Sequence, residues 1–390
     1  METAAIRENG CSTGEEILYV AMELSRGKWK LGLTVGGGQK AREVTIEAGH
    51  LDRLEKAIED AKRRFGLGAS ARVVSCYEAG RDGFWLDRYL RSRGVANVVV
   101  DSSSIEVNRR ARRAKSDGLD VRSLLVLLIR FTRGDDKVWS VVRVPTVEEE
   151  DGRQLHRTIE AMKADRVRHT NRIKALCVTQ GVKAPRLTGE LAVFRAKLEQ
   201  VRLWDGSALP QGLGKRLEYE YERLEMVERQ LQELTKKRRE MIRTVAADGE
   251  ACERQNRQVR KLIQLRGIGE SSSWLYVTEF FGWRDFKNGR QVGSLAGLTP
   301  TPYQSGDSRR EQGVSKAGNR LVRHMAVEIA WGWLKFQPGS ELSLWYWRRF
   351  GHGGARQRRI GIVALARKLL VALWRYLDFD VLPAGAMLKA

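Results

Sequence analysis

Cysteine is scarce in this sequence. Cys11, Cys76, Cys177 and Cys252 stand far apart and form no Cys-x-x-Cys pair. That spacing argues against structural zinc and against a disulfide framework. The 5 histidines are equally scattered. No apolar run approaches the roughly 20 residues that span a bilayer. The N-terminus, Met-Glu-Thr-Ala-Ala-Ile-Arg-Glu-Asn, has no signal-peptide core. There is no internal repeat and no long low-complexity tract. Negative charge is the minority: 48 Asp and Glu stand against 70 Lys and Arg, a net charge of +22. These absences turn the reading toward a cytoplasmic protein with a polyanionic partner. Nucleic acid is the first such partner and a membrane surface the lesser one.

At 390 residues, 42% of them hydrophobic, the chain is globular and long enough for two or three domains. Residues 1–15 are polar and read as loose. Ile17 to Met22 predicts a buried strand that runs into Glu23. Trp29 to Val35 alternates in strand fashion, Gly36 to Gly38 close a hairpin, and Arg42 to Ile46 returns as a third strand. Residues 51–65 have helical spacing, with Leu51, Leu54, Ala57, Ile58 and Ala61 on one face. Arg72 to Tyr77 is another buried strand, ending at Glu78. Phe84, Leu86, Tyr89 and Leu90 belong to a following helix, and Val95 to Val100 to a further strand. Strands alternating with helices imply an α/β layer with functional groups at strand ends.

Residues 147–255 read as a charged helical region, broken at Gly181–Pro185 and at Gly206–Gly214. Within it Leu217, Leu224 and Leu231 recur every seven residues, as do Val227, Leu234 and Met241. That is a coiled-coil pattern, open between a contact with a second copy and a helical hairpin within the chain. Arg266-Gly267-Ile268-Gly269 resembles a helix-hairpin-helix turn, whose backbone amides can meet a phosphate without reading sequence. Trp345, Tyr346, Trp347 and Phe350, with Arg348 and Arg349, form an aromatic and basic cluster. Arg356, Arg358 and Arg359 lead a last helix, Ile360 to Leu377.

Two stretches carry candidate chemistry. The first is a set of acids: Glu23 and Glu78 after strands, and Asp117 with Asp120 three apart on one helical face. Arg109, Arg110, Arg112, Arg113 and Lys115 precede that last pair. Carboxylates from separate elements can converge on Mg²⁺, a hard ion that takes oxygen ligands, and such ions serve phosphoryl transfer. The second is residues 296–324. It reads as a loop from Pro300 and Pro302 that presents Ser305 beside Gly306, then Arg309, Arg310 and Lys316. Asn319 and Arg320 open a helix there. Glycine lets the backbone approach a ligand, arginine suits phosphate, and Asn319 would cap the helix and aim its N–H groups at an anion.

The wording "GLTP…YQSG…SKAGNR" resembles the C-terminal domain of the DEDD-type insertion-sequence transposases, the "IS one-ten" family of bridge-RNA-guided recombinases. "YVAMELSRGKWKL", "CYEAGRDGFWL" and "RRAKSDGLDVRSL" resemble the tetrad motifs of that family's N-terminal domain. The resemblance covers most of the chain, with motifs in the family's order. It implies α/β plus α. A RuvC-like, ribonuclease-H-type domain would take 16–146, and a helical coiled-coil region 147–255. A mainly helical transposase domain with a serine loop would take 256–390.

It also implies that Ser305 is the nucleophile that forms a covalent phosphoserine link with DNA. Glu23, Glu78, Asp117 and Asp120 would be the Mg²⁺-binding tetrad, with Glu23 standing where aspartate is usual. The implied partners are donor and target DNA, a structured non-coding bridge RNA, and further copies of the chain, dimer to tetramer, near the nucleoid. Arg309, Arg310, Lys316, Asn319, Arg320 and the cations before Asp117 are the candidate nucleic-acid contacts. Two other functions fit the same residues: a metal-dependent junction resolvase that activates water, and a non-catalytic nucleic-acid-binding protein.

Overall fold

The computed structural model describes residues 16–80, 83–105, 117–135, 137–187, 189–243, 250–305 and 308–389. Two compact units emerge: residues 1–145 with Trp283–Asp285, and Thr146–Gly282 with Phe286–Ala390.

The first unit is built on a five-stranded sheet of order β3-β2-β1-β4-β5. Its strands are β1 (Ile17–Leu24), β2 (Lys28–Thr34), β3 (Arg42–Glu47), β4 (Arg72–Glu78) and β5 (Ala96–Val100). β1 pairs antiparallel with β2 and parallel with β4, so the antiparallel meander of three strands continues into a parallel half. Helix α1 (Leu51–Arg64) links β3 to β4, and α2 (Trp85–Ser92) links β4 to β5. Parallel neighbours require such crossovers.

Side chains alternate across a strand, so one strand can feed two cores. Leu18, Val20 and Met22 of β1 join Leu54, Ala57 and Ile58 of α1 and Leu86 and Leu90 of α2. Tyr19 and Ala21 turn the other way, toward Val121, Leu124, Leu125 and Leu128 of α3 (Asp117–Thr132). Helices therefore cover both faces, which is why β1 and β4 read as continuous apolar runs.

α3 approaches the sheet most closely at Gly32. A Cβ there would fall 2.4 Å from Val121 Cγ1 and 2.8 Å from Leu125 Cδ1. We expect Gly32→Ala to cost about 1–3 kcal/mol, the usual range for overpacking. Gly27, where a Cβ would meet nothing within 4 Å, is the control. Urea midpoints measure both; equal midpoints would mean that α3 does not rest on Gly32.

The second unit opens at a capping box. Thr146 Oγ1 accepts from the Glu149 N–H at 3.2 Å, and Glu149 Oε2 accepts from the Thr146 N–H at 3.0 Å. This starts α4 (Val147–Val178). After the short α5 (Leu191–Gln200) comes α6 (Gln211–Arg243), one residue longer than α4. α4 and α6 lie antiparallel: Ile173 and Cys177 meet Leu217 and Leu224, while Leu155 and Ile159 share a core with Leu231 and Ile242. Leu217, Leu224 and Leu231 are thus buried within the chain, with Leu234 partly buried, and α4 packs along the seam, joined by Phe194 and Leu198 of α5. Of the two readings of that pattern, the described contacts form the hairpin.

Helices α7 (Glu250–Ile263), α8 (Glu270–Glu279), α9 (Gly289–Leu295), α10 (Arg320–Phe336), α11 (Glu341–Phe350) and α12 (Ala355–Phe379) build the rest. From Ser272 to Glu279 every residue of α8 is buried, so this short helix is the central post of the unit. The stretch read as a loop from Pro300 is a hairpin, β6 (Pro300–Ser305) with β7 (Ser308–Val314). Proline cannot donate to a ladder and is confined to edges and irregularities. Here the register shifts between Pro300 and Pro302. Among the described residues no helix is long and apolar enough to cross a membrane.

His156 of α4 is fully buried, and neither ring nitrogen has a hydrogen-bond partner. Burial pushes its pKa down to about 4, against the smaller pull of Glu160; Arg238 also lowers it. The unfolded chain then binds a proton between about pH 6.5 and 4 that the folded chain does not, so stability falls as pH falls through that window. The loss is full below pH 4 and amounts to about 3 kcal/mol. His156→Leu should flatten that slope. Denaturant titrations of both proteins at several pH values read the difference, and parallel curves would refute it.

Candidate active site and nucleic-acid interface

The carboxylates come first, from the strand register. The last pair in register between β1 and β4 is Met22 with Tyr77. Glu23 and Glu78 are the next residues on the two strands, at the carboxyl ends of parallel neighbours about 4.8 Å apart. Alternation sends Glu23 to the face of Tyr19 and Ala21, and Glu78 to that of Val74 and Cys76, which is the α3 face in both cases. Both residues are half-buried. The Cys76 thiol feels Glu78: burial raises its pKa and the neighbouring charge raises it further.

α3 brings the aspartates toward the same end. Val121 and Leu125 stand over Gly32, which pairs with Ala21, while Ile129 and Tyr19 come together beside Gly36. The helix therefore runs antiparallel to β1. Its first turn, with Asp117 and Asp120, extends along the sheet toward the Glu23 end. Asp120 is half-buried; the side chain of Asp117 is outside the described residues. Among the described residues, no group of three or more His, Cys, Asp or Glu side chains stands close enough to hold a metal ion. Adjacent carboxylates at the strand ends are nevertheless the hard oxygen donors that Mg²⁺ takes.

A counter-charge stands beside them. Lys30 is opposite Glu23 in the β1–β2 register, and its Nζ lies 3.0 Å from Glu43 on β3. Lys30, and then Arg122 of α3, hold the Glu43 carboxyl below the usual carboxylate range. Asp101, just past β5, is bound by Arg284 at 2.5 Å within the same unit.

The serine belongs to the second unit. Ser305 ends β6 and is paired across the hairpin with Ser308. Its backbone is held by the ladder Tyr303–Arg310 and Gln304–Arg309; the side chains of Ser305, Arg309 and Arg310 are outside the described residues. Ser315, a third hydroxyl nearby, has its Oγ buried without a hydrogen-bond partner.

Past the hairpin, Lys316 holds a left-handed backbone at φ 54°, a conformation that is uncommon outside glycine and costs of order 1 kcal/mol. Gly318, at φ +88°, lies so close to Leu295 that a Cβ would fall 1.9 Å from its carbonyl oxygen. Asn319 then caps α10 as its sequence predicts: its Oδ1 accepts from Leu321 and Val322 at 2.9 and 3.4 Å. Arg320, exposed, is the first residue of that helix. The cations Arg109, Arg110, Arg112, Arg113 and Lys115 lie outside the described residues.

One arrangement carried no local signal in the sequence. The Glu279 carboxylate, fully buried at the end of α8, receives Arg153 at 3.1 Å, Arg157 at 2.7 Å and Asn319 Nδ2 at 3.3 Å. The residue that caps α10 is thereby tied to α4 through a charge-assisted network. The anion beside Asn319 in this structure is this internal carboxylate.

A family profile described as "Transposase IS116/IS110/IS902 family" matches residues 259–343. That span holds the hairpin, Asn319 and α8. "Putative transposase y4rJ" of Sinorhizobium fredii (strain NBRC 101917 / NGR234) is 39% identical over 380 residues, covering 95% of this chain and 94% of its own length. The chain belongs to the IS116/IS110/IS902 transposase family. "Transposase for insertion sequence element IS1328" of Yersinia enterocolitica is 26% identical over 56% of this chain and 60% of its own. "Probable family 20 transposase" of Pseudomonas aeruginosa is 25% identical over 61% and 66%. Membership makes the chain a DNA transposase, and its net charge of +22 suits that partner.

Proposed function

We propose that this transposase exchanges DNA strands through Ser305, with Mg²⁺ held by Glu23, Glu78, Asp117 and Asp120. The observation that carries the reading is the placement of Glu23 and Glu78, next in register at the ends of parallel strands and on the face where α3 begins. The order β3-β2-β1-β4-β5 supports a ribonuclease-H-type, RuvC-like assignment of the first unit. When bound, the metal would offset the charge that develops on the phosphate oxygens during transfer.

The serine chemistry is a transesterification. A bond forms between Ser305 Oγ and phosphorus as the phosphorus–oxygen bond to the leaving strand breaks. The serine gives up its proton and the leaving DNA oxygen takes one up. Attack by the hydroxyl of a second strand reverses these changes, so no bond energy is lost to water. Cations around the hairpin offer planar and point-charge partners for the phosphates. A guide RNA, with donor and target DNA, and a tetramer in which serine and carboxylates come from different copies complete the reading. The large positive charge supports it, because pairing by RNA leaves the protein only shape and backbone to recognise.

The test is trapping. Protein with its copurified RNA is incubated with end-labelled junction DNA and Mg²⁺, then resolved on a denaturing gel. A metal-dependent band of protein-linked DNA is expected. Cleavage with no such band would mean hydrolysis, the junction-resolvase chemistry.

A further inference from the structure

A cleft of about 1650 Å³ opens among α12, the base of the hairpin and the start of α9. Small-molecule pockets measure about 300–1,000 Å³, so this one suits a longer occupant. Its cations among the described residues come from three segments. Arg356, Arg359, Arg367, Lys368 and Arg375 lie along α12; Arg290 belongs to α9; Lys316 follows β7. Among the described residues that line it there is no Asp or Glu. Between the cations the floor is apolar, from Leu298, Leu342, Trp345, Val363 and Val371. Lys368 Nζ stands over the Trp345 ring, 4.8 Å from its centre.

We propose that this cleft holds one unpaired DNA strand, with its phosphates on the α12 cations and its bases against the floor around Trp345. The charge selects a polyanion. The floor selects among polyanions. A duplex turns its phosphates outward and hides the faces of its bases, so it has nothing to lay on an apolar surface. An unpaired strand offers those faces, and base–aromatic stacking is tolerant of sequence.

The wall of the cleft selects the strand. Pro300, Thr301, Gly313 and Val314 line it and form the base of the hairpin that ends at Ser305. From Thr301 to Ser305 the strand advances about 13 Å at about 3.3 Å per residue. That is the length of about four stacked nucleotides at about 3.4 Å each. A strand in the cleft continues toward the serine, and in a transposase that strand is DNA. Only this direction rests on Ser305 as the nucleophile; the binding does not.

The experiment uses the full-length Ser305→Ala protein, freed of copurified nucleic acid, so that no chemistry is needed. A short single-stranded DNA carrying 5-iododeoxyuridine is bound and irradiated, and the crosslinked peptide is mapped. The crosslink should fall on Trp345 and vanish in Trp345→Ala. Arg359→Ala with Lys368→Ala, both exposed positions, should weaken binding about tenfold. The same pair should flatten the dependence of log affinity on log salt by about 1.4, at about 0.7 per phosphate for a single strand. An unchanged thermal midpoint checks the fold. A crosslink elsewhere, or equal loss of duplex binding in the double variant, would overturn the proposal. So would an RNA of the same sequence that displaces the DNA from Trp345. A crosslink at Trp345 in a protein that never forms a covalent DNA adduct would leave the cleft standing and remove the serine.

Discussion

Ser305→Ala should remove the protein-linked DNA species and lower strand exchange at least about a thousandfold, while DNA binding should stay near that of the unaltered protein. The magnitude follows from losing a nucleophile: residues that act as a unit in covalent catalysis each carry most of the effect when removed alone. The retained binding follows from the cleft, whose seven cations among the described residues, from Arg290 to Arg375, lie on other segments of the chain. Ser308 is the informative control, because it is paired with Ser305 across the hairpin and offers the same functional group one strand away. Ser308→Ala should keep the covalent band. A band that survives in Ser305→Ala and is lost in Ser308→Ala would move the nucleophile to the second strand.

What the sequence could show of this depended on how local each feature is. β1 and β4 were legible because an apolar run bounded by an acid is local; Glu78 ends β4, and Glu23 stands one residue before the end of β1. The Asn319 cap was legible for the same reason, a short polar side chain ahead of a helical run. The hairpin was not. Pro300 and Pro302 are loop residues by propensity, and only the pairing of β6 with β7, register shift included, makes strands of them. The heptad of α6 showed that a partner exists but not which one, since the pattern records a buried stripe and is silent about what covers it. The Glu279 network was out of reach altogether. Arg153 and Glu279 are 126 residues apart, and neither stands in an unusual local context. The cleft failed for a related reason. The cations of α12 lie beside its apolar stripe and pass for its solvated side until the hairpin base and α9 are set against them.

Glu78→Gln separates a metal site from an ordinary surface charge, because it should act in opposite directions with and without Mg²⁺. Glu23 and Glu78 are like charges at neighbouring strand ends, and such pairs destabilise by about 0.2–1 kcal/mol. In metal-free protein the glutamine should therefore leave stability unchanged or slightly raised. In Mg²⁺ the unaltered protein should gain stability by mass action, about 2.7 kcal/mol at a hundred times the dissociation constant. Glu78→Gln and Asp120→Asn should lose that gain, and with it roughly 10²–10³ in strand exchange, the scale on which removing one charge-stabilising partner acts. Glu23→Asp should keep part of both, since it preserves the carboxylate and shortens its reach by one methylene. Thermal midpoints across a Mg²⁺ titration read the stability arm, and the trapping gel reads the other. If Mg²⁺ raised the midpoints of the Gln and Asn variants as much as that of the unaltered protein, the ion would bind elsewhere. The juxtaposition of Glu23 with Glu78 would then be a cost that the sheet carries, offset by Lys30 on the neighbouring strand.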